Sequence, residues 1–166
     1  MSDPIDIILG PDNLTIKVHF LNEDYVEKVY LMEQASYPDA WSKGLFYSEI
    51  NSKNGKFFIF IANDNLIGYA GYWLANDEAH ITKFTVAPEY RRKGLGKLFM
   101  NYIFKKAKQD KAKEIILEVR ENNLPARLLY EKMGFETIGV RYRYYVRIQE
   151  NAVVMKKILD DISIEE

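Results

Sequence analysis

The hydrophobic pattern of the chain changes period several times, and each change marks an element. Residues 14–20, "LTIKVHF", alternate apolar and polar side chains and are rich in β-branched residues, which predicts a strand. Asn22 is placed to cap a helix running to about Ser36, with Glu23 and Asp24 in its first turn. Ser42 is placed to cap a second, shorter helix through about Ile50. "KFFIFIA", the turn "NDN" and "LIGYAGYWL" predict a β-hairpin, and "AHITKFTV" predicts a further strand ending at Ala87-Pro88.

After Val86 the period moves from 2 to 3.6. Leu95, Leu98, Phe99, Tyr102, Ile103 and Lys106 trace one helix face, and the C-terminal lysines suit the negative end of the helix dipole. "EIILEV" reads as a buried strand. "LPARLLYEKMG" reads as a helix, with Asn123 as cap, Pro125 in the first turn and Gly134 as stop. "FETIGVRYRYY" and "AVVMKKI" predict two closing strands. The order β-α-α-β-β-β-α-β-α-β-β predicts a mixed α/β or α+β sheet with helices packed on it.

With 166 residues the chain is expected to form one domain, with residues 1–13 as an N-terminal extension and 159–166 as an acidic tail. A formal net charge of −1 argues against a surface built for nucleic acid, although residues 91–113 are locally basic. There is no cysteine, which excludes disulfides, thiolate zinc sites and thiol catalysis. His19 and His80 are the only imidazoles, so no histidine-rich metal site is expected. "MSDPIDIILG" lacks the cations and apolar run of a signal peptide, and no stretch approaches the length of a membrane span. A soluble cytoplasmic protein is the expectation.

The segment "EYRRKGLGKLF" places Arg91, Arg92 and Lys93 at the positive end of a helix dipole, where cations are unfavourable unless an anion sits among them. Free amides at such a glycine-rich helix start form an anion site, and glycine lets phosphate approach the main chain. The turn is not a Walker A loop, because Arg91 stands where its first glycine belongs and Leu98 where Ser or Thr belongs. It is not a dinucleotide fingerprint either, since Phe99 occupies the third glycine position.

Arg91-x-x-Gly94-x-Gly96 instead resembles the acyl-CoA-binding signature of the GNAT superfamily of acetyltransferases. Further on, "LEVRENNLPARLLYEKMGFETIG" resembles the second block of that family in Glu118-Val119-Arg120, Asn123, Ala126, Leu129-Tyr130 and Gly134-Phe135. "HITKFTVAPEYRRKGLG" and "EQASYPDAWSKGLF" resemble the protein N-terminal acetyltransferases, both the bacterial ribosomal-protein alanine enzymes and the archaeal and eukaryotic nascent-chain enzymes. The resemblance implies a mostly antiparallel sheet of about seven strands with four helices on both faces. It also implies acetyl-CoA as cosubstrate, no metal, and a protein or peptide N-terminus as acceptor. Neither nucleic acid nor membrane is implied, and there is room for ribosome association or a homo-oligomer.

Acetyl transfer needs a neutral amine, a polarised thioester carbonyl and a stabilised thiolate. An α-amine titrates near roughly 7.7–8.0, so a modest base suffices at neutral pH. Glu118, interrupting an apolar run, is the candidate base, directly or through an ordered water. Alternation also puts Ile116, Glu118 and Arg120 on one face, which leaves a plain Glu118–Arg120 surface pair open. Tyr130 matches the family tyrosine near the CoA sulfur; its alternative is a ring in the core with its hydroxyl at the surface.

The resemblance assigns the carbonyl contact to the main chain of Phe84, Thr85 and Val86, and the pyrophosphate to Arg91, Arg92, Lys93, Gly94, Leu95, Gly96 and Lys97. Asn123 is first an N-cap and second a contact to the CoA arm. His80 is left outside the catalytic set, and His19 is expected to be uninvolved. For the acceptor, the resemblance points to Tyr37 and Asp39 after the first helix and to Tyr144-Tyr145 near the last turn, although Asp39 also fits a capping or solvated role. Two departures bear on acceptor choice: Ala40 stands where many relatives have Pro, and "RIQENA", with Arg147, replaces an acidic segment. A small amine such as a polyamine or aminoglycoside remains the alternative acceptor. A CoA-sensing module without catalysis is disfavoured by the presence of both Glu118 and Tyr130.

Overall fold

The computed structural model describes residues 2–159. Its elements run β1 (Asp6–Leu9), β2 (Thr15–Phe20), α1 (Glu23–Ser36), α2 (Lys43–Ile50), β3 (Gly55–Ala62), β4 (Asn65–Ala75), β5 (Glu78–Val86), α3 (Leu95–Gln109), β6 (Glu114–Arg120), α4 (Leu124–Lys132), β7 (Glu136–Tyr145) and β8 (Glu150–Ile158). The eight strands form one sheet in the order β1-β2-β3-β4-β5-β6-β8-β7. Every neighbouring pair is antiparallel except β5 with β6.

The mixed, mostly antiparallel sheet with four helices is the architecture expected, with one strand more. That strand is β1, within residues 1–13, where the sequence predicts only an extension. It pairs with β2, and Asp6 accepts a hydrogen bond from the Tyr102 hydroxyl (2.5 Å). Four residues with exposed Ile7 and Leu9 carry too little pattern to be read as a strand. Leu159 is buried and its amide donates to Lys113 O (2.8 Å), so the fold extends into the expected tail; the rest of that tail lies outside the described residues.

Local chemistry sets the helix starts. Asn22 accepts from the Asp24 amide, Ser42 from Leu45 and Asn123 from Ala126, each satisfying a donor of the first turn. Asn63 and Asp64, with φ of 50° and 62°, close the β3–β4 hairpin in the left-handed conformation a two-residue turn needs.

Strand β3 has no polar alternation because both faces of the sheet are covered. Phe57, Ile59 and Ile61 pack with Val26, Val29 and Phe46 of α1 and α2. Phe58 and Phe60 pack with Phe99, Tyr102 and Ile103 of α3. The Phe60 and Phe99 rings stack with centroids 4.0 Å apart. No helix of the described residues is long and apolar enough to cross a membrane.

Gly68 on β4 makes room for that stack. A Cβ there would lie 2.6 Å from Thr85 O and 2.7 Å from Phe99 Cε2, whereas one at Gly139 would meet nothing within 4 Å. Gly68→Ala should therefore lower the unfolding free energy by about 1–3 kcal/mol in urea titration, and Gly139→Ala should change it by no more than about 0.5 kcal/mol.

Candidate active site

Strands β5 and β6 pair only through Glu78–His80 and Glu114–Ile116, and then separate. On its other edge β5 stays paired with β4 as far as Val86, with Thr82 accommodated as a bulge between Ile81 and Lys83. The Ala87 amide donates to Ile67 O on the β4 side (2.9 Å). By alternation, Thr85 also turns its backbone to β4, while Phe84 and Val86 turn theirs into the opening left by β6. Their carbonyls there are taken by side chains: Tyr37 Oη donates to Phe84 O (2.9 Å), and Arg91 Nε donates to Val86 O (3.0 Å). The amides of Phe84 and Val86 face the same opening. The Thr85 hydroxyl is buried and hydrogen-bonded to the Tyr37 hydroxyl (2.6 Å), and its backbone is paired to β4, so of the three main-chain positions expected at the carbonyl only Phe84 and Val86 face the opening.

Beyond Val86 the chain makes the glycine turn. Arg92 (φ 62°) and Gly94 (φ 81°) both sit in the left-handed region, and Gly94 heads α3 with no side-chain cap. The first-turn amides of Leu95, Gly96 and Lys97 are thus left for another acceptor. Gly96 lies against Leu129 of α4, where a Cβ would meet Leu129 Cδ2 at 3.0 Å. Arg92, Lys93 and Lys97 are exposed. Arg91, expected among the phosphate contacts, is instead folded back on Val86 O and on Ser36 Oγ (3.4 Å). Asn123 is engaged in capping α4.

Across the opening stands Glu118, its side chain 5% exposed. It shares a face with Ile116 and Arg120, as alternation predicts, but Arg120 pairs with Glu150 (3.6 Å) and not with Glu118. The partner is His80: Nε2 lies 2.5 Å from Glu118 Oε2. Glu118 Oε1 lies 3.8 Å from Arg141 Nε. His80 was set aside in the sequence, and the β5–β6 register explains the meeting. His80 is opposite Ile116 in a parallel pair, so Glu118, two residues on, falls on the same face just beyond the last paired position. His80 is itself 34% exposed and so joins the buried carboxylate to solvent.

Tyr130, on α4, has its ring between Phe84 (6.1 Å) and Phe135 (5.7 Å), and the residue as a whole is buried. Burial, then the neighbouring Tyr37 and Tyr145, push its phenol pKa well up. Burial also raises Tyr37 to about 12, with Glu33 adding to the rise and Thr85, Arg91 and Arg120 opposing it. Tyr145 is raised by burial first, then by Asp39, Tyr144 and Glu118; Tyr144 by burial, then Glu118. The Tyr144 and Tyr145 rings meet edge to face with centroids 5.1 Å apart. The structure therefore gathers Tyr37, Asp39, Glu118, Tyr130, Tyr144 and Tyr145 around one opening. All these phenols stay neutral hydrogen-bonding groups at physiological pH.

The loop carrying Tyr37 and Asp39 is held by a pair the sequence did not reveal. Glu33, fully buried, accepts from Trp41 N (2.9 Å) and Tyr69 Oη (2.7 Å) and pairs with Lys83 Nζ (2.5 Å). The same ammonium lies 4.2 Å from the Tyr37 ring centroid and 5.1 Å from that of Trp41. Arg147 Nη1 reaches Ala40 O at 3.5 Å, so the β7–β8 turn touches this loop.

A sequence profile described as "Acetyltransferase (GNAT) family" matches residues 26–135. The [ribosomal protein bS18]-alanine N-acetyltransferase of Haemophilus influenzae is 34% identical over 135 residues, covering 78% of this chain and 89% of the relative. An N-alpha-acetyltransferase of Saccharolobus solfataricus is 28% identical over 149 residues, covering 82% of this chain and 89% of its own. Among solved structures, the ribosomal-protein-S18-alanine N-acetyltransferase from Escherichia coli superposes with a TM-score of 0.79 at 25% identity, over 91% of this chain and 98% of that one.

Removing one partner of a buried ion pair leaves an uncompensated charge. Lys83→Met should cost about 3–5 kcal/mol of stability, and adding Glu33→Gln should restore most of it. Urea denaturation of the single and double variants checks both.

Proposed function

The chain belongs to the GNAT family of acetyltransferases, and on that premise we propose that it transfers acetyl from acetyl-CoA to the N-terminal α-amine of a protein. The observation that carries this reading is the separation of β5 from β6 beyond His80 and Ile116. It leaves two strand amides on one wall and a buried carboxylate, linked to solvent by an imidazole, on the other. Relatives that act on ribosomal-protein and other α-amines support the acceptor class.

Each part has a defined task. The amides of Leu95, Gly96 and Lys97 hold the CoA pyrophosphate, with Arg92 and Lys93 adding charge. The unpaired amides of Phe84 and Val86 offer strand-like bonds to the amide-bearing CoA arm and to the thioester oxygen as charge develops on it. Glu118 takes a proton from the acceptor ammonium and His80 passes it to solvent. The neutral amine nitrogen then bonds to the acetyl carbon, and the C–S bond breaks. One further proton leaves nitrogen and one reaches the sulfur. Tyr130 steadies the thiolate by donating a hydrogen bond; its raised pKa disfavours full proton transfer, so the thiolate takes its proton from solvent. Tyr144 and Tyr145 face Tyr37 and Asp39 across the acceptor's path.

Acetyl-CoA consumption is to be followed with peptides of varied first residue, beside spermine and free amino acids. Peptides should be acetylated; turnover with small amines but not peptides, or none with any amine, would overturn the proposal. Glu118→Gln should lower kcat by about 10²–10⁴-fold while leaving the KM for acetyl-CoA within a factor of about two, because it touches the acceptor proton and not the phosphates.

CoA at about one hundred times its Kd should raise Tm by roughly 5–10 °C. Gly94→Glu, which puts a carboxylate and a strained φ where the phosphates belong, should abolish that shift. A full shift in the variant would displace the phosphate site from the glycine turn.

A further inference from the structure

Resting on that acceptor reading, we infer that the groove selects N-termini followed by acidic residues, through Arg143 and Arg147 on its outer rim. Charge along the acceptor path runs from a carboxylate at its inner end, paired with Arg141, to unpaired cations further out. The buried carboxylate of Glu118 stands at its inner end, where an N-terminal ammonium would arrive. The outer rim is formed by β7 and the turn after it, and its sequence "RYRYYVR" carries three guanidiniums within seven residues.

Two of the three, Arg143 and Arg147, are open to an acidic partner. Arg141 is turned inward instead: it stands over the Tyr144 ring (5.6 Å) and pairs with Glu118 Oε1 (3.8 Å). Among the described residues no carboxylate pairs with Arg143 or Arg147 within 4.0 Å. The nearby acids are already engaged: Glu150 with Arg120 and the Asn122 amide, Glu121 with the Asn151 side chain.

The backbone is also bent to present this rim. Between the pairs Arg141–Ala152 and Tyr145–Glu150, β7 spends three residues where β8 spends one, a bulge that re-aims the intervening side chains. Arg143, at its centre, has φ 53°, a conformation unfavourable for an arginine and held by Asn151 Oδ1 accepting its amide (2.9 Å). Arg147 bridges to Ala40 O on the opposite lip, so an acceptor chain leaving the inner end between the two loops passes beside it.

The test compares kcat/KM for two peptides starting with alanine and matched except at positions two to four, acidic in one and basic in the other. Each exposed pairing contributes roughly two- to fivefold, so the acidic peptide should lead by about tenfold at low ionic strength. The lead should shrink towards unity at about 1 M salt, where screening acts within about 3 Å. The double variant Arg143→Glu with Arg147→Glu should invert the ratio, a readout independent of how much of the variant is folded. Equal rates, a basic preference or a salt-independent ratio would overturn the inference while leaving peptide acetylation intact. Inhibition by a short single-stranded RNA with no discrimination between the peptides would assign the arginines to nucleic acid and also overturn it. Absence of turnover with either peptide would overturn the acceptor reading itself, and this inference with it.

Discussion

The site depends on one broken ladder. Parallel neighbours in a sheet ordinarily satisfy each other's backbone along their length, yet β5 and β6 do so for three residues each and then part. A buried backbone group without a partner costs about 1–3 kcal/mol, so a fold that parts its strands must answer for each one. Here the answer is uneven. The carbonyls of Phe84 and Val86 are met by Tyr37 and Arg91, side chains that arrive from α1's end and from the glycine turn. The amides of the same residues are left to whatever enters. An opening with acceptors silenced and donors kept is biased towards ligands rich in carbonyl oxygen, which describes a thioester on an amide-bearing arm.

The same separation makes Glu118 what it is. Were the ladder continued, this carboxylate would project from a fully paired strand as an ordinary member of an alternating face. Because pairing ends at Ile116, its side chain stands at the mouth of the opening with His80 as its neighbour. The tyrosines around it are held neutral by burial, so the opening contains one buried acid–imidazole couple, with Arg141 on its other carboxylate oxygen, among uncharged phenols. On the proposed reading, a carboxylate so placed serves an amine that is already partly neutral near pH 7 and would do far less for a lysine side chain titrating near ~10.4.

Much of this was legible in the chain where the causes are local. The starts of α1, α2 and α4 fall where Asn22, Ser42 and Asn123 said they would, because a cap acts on an amide two or three residues away. The glycine turn was visible for the same reason. The contacts that escaped are those made by register. His80 and Glu118 are 38 residues apart and meet only because a parallel pair happens to set His80 opposite Ile116. Lys83 and Glu33 escaped likewise: nothing in either segment shows that an ammonium on β5 will lie beneath two rings from the loop after α1. Strand β1 escaped because four residues with a carboxylate among them carry almost no period.

Arg91 shows how these parts become one unit. In sequence it is the first of three cations at a helix start, and its charge invites a phosphate. In the fold its guanidinium is bound to Val86 O at the end of β5 and to Ser36 Oγ at the end of α1. It therefore ties the glycine turn, the strand wall and the root of the acceptor loop at a single point. Arg92 and Lys93 remain exposed at the positive end of α3, where their charge is unfavourable until an anion is bound. One arginine thus fixes the glycine turn relative to the end of β5 and α1, and on the proposed reading its two neighbours are left for the anion. Geometry and affinity are assigned to different members of one charged run, which is why neither could be read from the run's charge alone.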